Sequence, residues 1–194
     1  MQFWYLTSTT YGTWLPGDPR GSVSNTREWS GPRSHDNVVG EPPTPHSPGL
    51  HDASQQRLKF APVFFTVAYA EAVIAQFLET ARYRGWRVHA VAVMRNHFHM
   101  LVEVLHDPNP GKIPGDFKGH ATRTLNSTFG HREEWWTDRG SKRPNPTERS
   151  RYAAVRYTRD QEGVLASYFD PESIYVARLE LYEREHGLLS DEPI

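Results

Sequence analysis

"WRVHAVAVMRNHFHMLVEVL", residues 86–105, decides the fold. It contains two runs, WRVHAVAVM (86–94) and HFHMLVEVL (97–105), separated only by Arg95 and Asn96. Both runs are dominated by apolar and β-branched residues, so each reads as a strand. A two-residue link makes them antiparallel neighbours in a hairpin. Along the second strand successive side chains alternate between faces. His97 and His99 therefore project together, and Phe98 points to the opposite side. Of the ten histidines, no other two have this spacing. Two explanations fit such a pair: polar residues satisfied within the structure, or two imidazoles that chelate one divalent cation.

Working outward, QFWYLTSTTYG (2–12) is rich in aromatic and β-branched residues and predicts a first strand. Residues 18–60 are dominated by Pro, Gly, Ser and Asn without visible period, which predicts a long loop or insertion. Within 61–85, Val67, Ala70, Ile74, Phe77, Leu78 and Ala81 recur at helical spacing, with Gly85 as the stop. After the hairpin, DPNPGKIPGD (107–116) reads as a loop and FKGHATRTLNSTFG (117–130) as a second helix. WWTDRGSKRP (135–144) suggests a short hairpin with Asp138-Arg139-Gly140 at its tip. A third helix is predicted over 146–165 with Thr147 as N-cap, and a fourth over 171–187. This order describes an α+β domain of ferredoxin-like or RRM-like type, an antiparallel sheet with helices packed on one face. A further strand is needed to complete the sheet, and the sequence does not place it. The organisation expected is a domain over 1–165, interrupted by the loop-rich insertion 18–60, with a helical extension over 166–194.

The 194 residues suffice for one domain with a sizeable core, and no cysteine is present. Disulfides and thiolate metal sites are excluded, leaving His, Asp, Glu, Asn or Gln as metal ligands. The N-terminal stretch lacks the basic-then-apolar pattern of a signal peptide, and no apolar run approaches the roughly 20 residues that span a bilayer. The expected address is the cytoplasm, with no membrane association. The net charge of −1 is unevenly spread: residues 112–160 hold eleven Lys/Arg against six Asp/Glu, whereas 161–194 hold two against eight. The basic stretch is either a polyanion-binding face or a solvated helix and loop.

Tyr157 and Gln161 lie at i and i+4 on the third helix and share one of its faces. Of nine tyrosines, only Tyr157 has a glutamine at that offset. A phenol can act as a nucleophile toward phosphorus once its deprotonation is assisted. A glutamine carbonyl one turn away can complete a nitrogen–oxygen site suited to Mg²⁺ or Mn²⁺. The same pair is also common surface decoration on a basic helix.

VMRNHFHMLVEV (93–104) and YTRDQ (157–161), in this order, resemble the two motifs of the HUH-type single-tyrosine transposases, which include insertion-sequence transposases and REP-associated tyrosine transposases. RGWRVHAVAVM (84–94) and TYGTWLPGD (10–18) are also similar to family segments. The resemblance implies that His97, His99 and Gln161 bind a divalent metal, Mg²⁺ or Mn²⁺. It implies that Tyr157 attacks a phosphate of single-stranded DNA to form a 5′-phosphotyrosine and release a 3′-hydroxyl. Lys118, Arg123, Lys142, Arg143, Arg156 and Arg159 become candidates for phosphate contacts, and Trp135 and Trp136 for stacking on unpaired bases. The implied partners are hairpin-forming DNA and a second copy of the chain in a homodimer, with residence on the nucleoid. This sequence departs from many relatives in carrying Arg95, not proline, before Asn96, which alters the hairpin or places a cation by the site. It also lacks the Asn-Pro segment that often follows the tyrosine in the REP-associated branch. The alternatives are a domesticated DNA-hairpin binder without transposition activity, and a metal-dependent hydrolase whose nucleophile is water.

Overall fold

The computed structural model describes residues 1–22, 44–105, 109, 111–138 and 140–187. Its elements in chain order are β1 (Gln2–Thr9), α1 (Pro48–Gln56), α2 (Val67–Arg84), β2 (Arg87–Met94), β3 (His97–Val104), α3 (Lys112–Phe129), β4 (Ser141–Pro144), α4 (Glu148–Arg159), β5 (Val164–Phe169), α5 (Ile174–Ala177) and α6 (Leu179–His186). The chain divides into two compact units, Thr10–Val63 and the remainder, Met1–Thr9 with Phe64–Ile194.

The second of these carries a five-stranded antiparallel sheet in the order β4-β1-β3-β2-β5. The first four strands with α2 and α3 form the β-α-β-β-α-β arrangement of ferredoxin-like folds, as expected. The hairpin read from 86–105 is present: β2 and β3 pair across Arg95 and Asn96, with Val93 opposite Phe98. β1 lies on the other side of β3, with Tyr5 opposite Leu101, Thr7 opposite His99 and Thr9 opposite His97.

Helices cover both faces of the sheet, not the single face expected. On one face Phe98 packs edge-on against Phe77 of α2, which in turn meets Phe117 of α3. On the other, Phe3, Tyr5, Ala90 and Leu101 form a core with Tyr152 and Val155 of α4, Tyr175 of α5 and Leu179 of α6. Double coverage explains why β2 and β3 are buried at nearly every position and read as continuous apolar runs.

α2 starts at Thr66, whose hydroxyl accepts from the Tyr69 N–H, and ends at Gly85 in the left-handed region (φ 68°). α3 begins five residues earlier than the sequence suggested, at Lys112. Pro114 falls in its first turn, where no intrahelical N–H is needed, so the proline that looked like a loop signal is compatible with helix. Thr147 caps α4 in a reciprocal capping box with Ser150.

α4 stops at Arg159, not at 165. Gly163, at φ 65°, turns the chain into β5, which pairs with β2 and is the strand the sequence left unplaced. The 165 boundary read from the sequence thus falls within β5. The 135–144 segment is not a self-paired hairpin: β4 pairs with β1, with Arg143 opposite Tyr5, and the Thr137 N–H bonds to the Thr9 carbonyl. Pro144 closes an edge strand, a position where its missing donor costs no ladder bond. The single helix expected over 171–187 is broken at Arg178, whose backbone (φ −112°, ψ 12°) separates α5 from α6.

The Thr10–Val63 unit holds α1 and a tight turn. There Asp18 accepts from Arg20 at 2.8 Å, the Arg20 guanidinium lies over the Trp14 ring, and an isolated bridge joins Ser22 to Thr44. Of the 18–60 stretch expected to be a loop-rich insertion, residues 23–43 lie outside the described residues.

Candidate active site

Strand alternation puts His97 and His99 on the α4 side of the sheet, with ring centroids 5.0 Å apart and planes at 84°. Each ring is oriented through Nδ1. The His97 Nδ1–H donates to Asn96 Oδ1 at 2.7 Å, and His99 Nδ1 is joined to Thr7 Oγ1 at 2.8 Å. With Nδ1 engaged, Nε2 is the atom through which either ring would bind a cation. His99 is 7% exposed. Burial, reinforced by the neighbouring His97, pushes its pKa down to about 3, so it is a neutral imidazole at physiological pH.

α4 brings Tyr157 onto this pair. The Tyr157 and His99 rings meet edge to face at 5.1 Å, and Tyr157 is 41% exposed. Tyr5 forms the floor of the site. Its ring stacks on His99 (5.7 Å, 11°) and meets Tyr157 edge-on at 6.3 Å, and its hydroxyl bonds to Thr158 Oγ1 at 3.1 Å. Burial raises the Tyr5 pKa above the usual phenol range, so it stays protonated. Thr158 in turn donates to the Ala154 carbonyl at 2.8 Å. β1 thus supplies one residue that orients His99, Thr7, and one that anchors the residue beside the phenol, Tyr5. Neither Tyr5, Thr7 nor Asn96 was singled out from sequence. The signal lay in β1's alternation, which puts Tyr5 and Thr7 on one face, but the partner strand needed to give it meaning is 92 positions away for Thr7 and His99.

Gln161 lies just past the C-terminal end of α4. Its amide nitrogen donates to the Tyr157 carbonyl at 2.9 Å, folding the side chain along its own helix and leaving Oε1 as the atom a cation would use. Among the described residues no group of three or more His, Asp or Glu could hold a metal ion. The donors that the structure brings together are the two imidazole nitrogens of His97 and His99. They fit a divalent cation that draws its remaining ligands from water and a phosphate oxygen.

The basic and aromatic candidates separate. Arg123, Lys142 and Arg143 are exposed, the last two on the edge strand β4. Arg156 is half-buried. Arg159 is engaged by Asp160 at 2.7 Å and by Glu183 of α6 at 3.1 Å. Lys118 is turned inward: its Nζ donates to the Thr137 carbonyl at 2.7 Å, and burial lowers its pKa. It holds the loop after Trp136. Trp135 and Trp136 are 4% and 6% exposed, packed among Phe65, Tyr69, Phe77 and Phe98. Their ring faces are used by the core, so the base-stacking role expected of them is corrected to a packing role.

A second polar cluster joins His89 to Ser173 Oγ at 2.7 Å and to Glu103 Oε2 at 3.1 Å. Serine, histidine and carboxylate in a row suggest a nucleophile, but Ser173 is 1% exposed and closed to any substrate. The cluster ties the start of α5 to β2.

Residues 61–141 match the family of IS200-like transposases, in agreement with the motif resemblance. The matched stretch contains His97 and His99 and ends before α4, so Tyr157 and Gln161 lie beyond it. No protein of curated function matches the chain. Among solved structures it is similar to a REP-associated tyrosine transposase bound to a REP hairpin, at 10% identity and a TM-score of 0.43, over 81% of this chain. The match spans 64% of that transposase's length. It is also similar to a Deinococcus radiodurans R1 protein classed as a transposase, at 14% identity and a TM-score of 0.41, covering 83% of this chain and 92% of the other. Among the described residues, no helix is long and apolar enough to cross a membrane.

Proposed function

We propose that this chain, whose residues 61–141 match the IS200-like transposase family, cleaves and rejoins single-stranded DNA with Tyr157 as its nucleophile. The observation that supports this most directly is the contact, within one chain, between the exposed Tyr157 ring and His99, the ring next to His97.

In this reading the DNA backbone lies across the His pair. The Tyr157 oxygen attacks the phosphorus, displaces the 3′-oxygen of the neighbouring nucleotide and becomes a 5′-phosphotyrosine. A 3′-hydroxyl from a second end reverses the step, and no external energy source is needed because the phosphodiester is conserved in the covalent link. His97 and His99, with Gln161 as third ligand, would hold Mg²⁺ or Mn²⁺, which supplies Lewis-acid polarisation of the phosphate. Thr7 and Asn96 hold the two imidazoles in place, and Tyr5 with Thr158 fixes the end of α4. Arg123, Lys142, Arg143 and Arg156 are the candidates for phosphate contacts. By the motif resemblance the substrate is a hairpin-forming element end and the working form is a homodimer.

The test is incubation with single-stranded DNA from the flanks of the chain's own gene, with Mg²⁺ or Mn²⁺, scored for a covalent protein–DNA adduct. The adduct is expected with the unmodified protein and is expected to vanish with Tyr157→Phe or with chelator. Binding without any adduct would favour the domesticated hairpin binder. Cleavage that survives Tyr157→Phe would favour a water nucleophile.

A further inference from the structure

The two tryptophans chosen for base stacking are buried, which leaves an exposed aromatic elsewhere on this unit without an assigned role. Phe64 is 49% exposed, and the Arg95 guanidinium lies 4.8 Å from its ring centroid. The pair is held firmly on both sides. Phe65, the next residue, is 4% exposed and locked among Trp135, Trp136 and Tyr69, so Phe64 points away from that core. The Phe65 N–H bonds to the Arg95 carbonyl at 2.7 Å, clamping this segment to the tip of the β2–β3 hairpin. Arg95 is two residues from His97, a span of at most about 7 Å of chain. It forms no ion pair among the described residues. The first turn of α2, directly after, carries no acidic residue to repel a phosphate.

A ring exposed on a rigid backbone costs little to order on binding, and a guanidinium stacked on it adds a second planar surface and a positive charge. Bases present π-faces of any sequence, and the adjoining backbone is anionic, so both halves of the pair have a complement in the same ligand.

We infer that Phe64 and Arg95 form a stacking platform for an unpaired nucleotide of single-stranded DNA, beside the His97–His99 site. It rests on the reading that single-stranded DNA is the substrate. The platform would hold a base next to the scissile phosphate and so set where along a strand Tyr157 attacks.

The experiment compares the affinity of the full chain for a short thymidine-only oligonucleotide and for an abasic strand of equal length, by fluorescence anisotropy, alongside the adduct assay. The unmodified protein is expected to prefer the strand with bases. Phe64→Ala should lose roughly tenfold in affinity for that strand and little for the abasic one. Phe64→Trp should restore the preference, and Arg95→Ala should weaken both strands and flatten the salt dependence. An unmodified protein that does not distinguish the strands, or a Phe64→Ala protein that distinguishes them as well as the parent, overturns the platform even if adducts form. A protein that shows the Phe64-dependent preference but forms no adduct keeps the platform and sinks the cleavage reading alone.

Discussion

The Tyr157 and His99 rings stand at 85° to one another with 5.1 Å between centroids, although 58 positions separate them in the chain. Tyr5 touches both, stacking flat on His99 and meeting Tyr157 edge-on. The three rings make one unit in which Tyr157, the proposed nucleophile, and His99, a candidate ligand, share a floor.

Tyr5→Phe tests that floor. The substitution keeps the stacked ring and removes only the 3.1 Å bond to Thr158, which retains its bond to the Ala154 carbonyl. The expected cost in stability is ~1 kcal/mol, read by denaturant unfolding. If Tyr5 positions the end of α4, adduct formation should slow while the affinity for DNA stays at the parental level. A rate unchanged at conditions where both proteins are folded would show that the bond serves stability alone.

Thr7→Val tests the orientation of His99. It replaces a hydroxyl by a methyl of similar volume and leaves a buried imidazole nitrogen without its 2.8 Å partner. Loss of such an outer partner typically weakens metal binding by about 10- to 100-fold. Calorimetric titration with Mn²⁺ in the absence of DNA should show this weakening for Thr7→Val and near-parental binding for Thr7→Ser.

The buried His99 makes stability depend on acid. Its pKa falls from 6.5 to about 3 on folding, chiefly by desolvation and then by the charge of His97. Below 6.5 the unfolded chain takes up a proton that the folded chain refuses, so this contribution to stability declines as pH drops from 6.5 towards 3 and is constant above 6.5. Metal-free protein should lose stability across that window by up to roughly 1.4 kcal/mol per pH unit from this group. His99→Gln should show a shallower decline in the same unfolding series. The comparison isolates His99 from Asp18 and Asp170, whose own pKa values are held low beside Arg20 and Arg87.

Trp136→Ala separates a packing role from a binding role. The ring meets Phe65, Phe77 and Phe98, and its removal from a closed core should cost about 3–5 kcal/mol. The expected outcome is a large drop in the unfolding midpoint. A folded variant of parental stability that had lost DNA binding would return Trp136 to the nucleic-acid surface.

Local patterns were legible wherever one short segment carried its own evidence. The two strands of 86–105 and their two-residue link, the apolar stripe and glycine stop of α2, and the Thr147 cap of α4 all appear where the sequence placed them. β5 could not be placed from the sequence because a short strand with partly exposed residues lacks a clean two-residue period, and only its pairing to β2 identifies it. The start of α3 was hidden by a proline that the first turn of a helix accepts.

The sequence by itself determined that His97 and His99 share a face, because strand geometry allows nothing else. Only the tertiary structure decided that Tyr157 meets His99, that Gln161 falls just past the end of α4, that Thr7 and Tyr5 support the site, and that Trp135 and Trp136 are core while Phe64 is not. Side-chain direction within an element follows from fixed backbone repeats. Which elements touch, and which aromatic ring is left facing water, follows from how α4 and the helix layers cover the sheet, a packing outcome that no local spacing encodes.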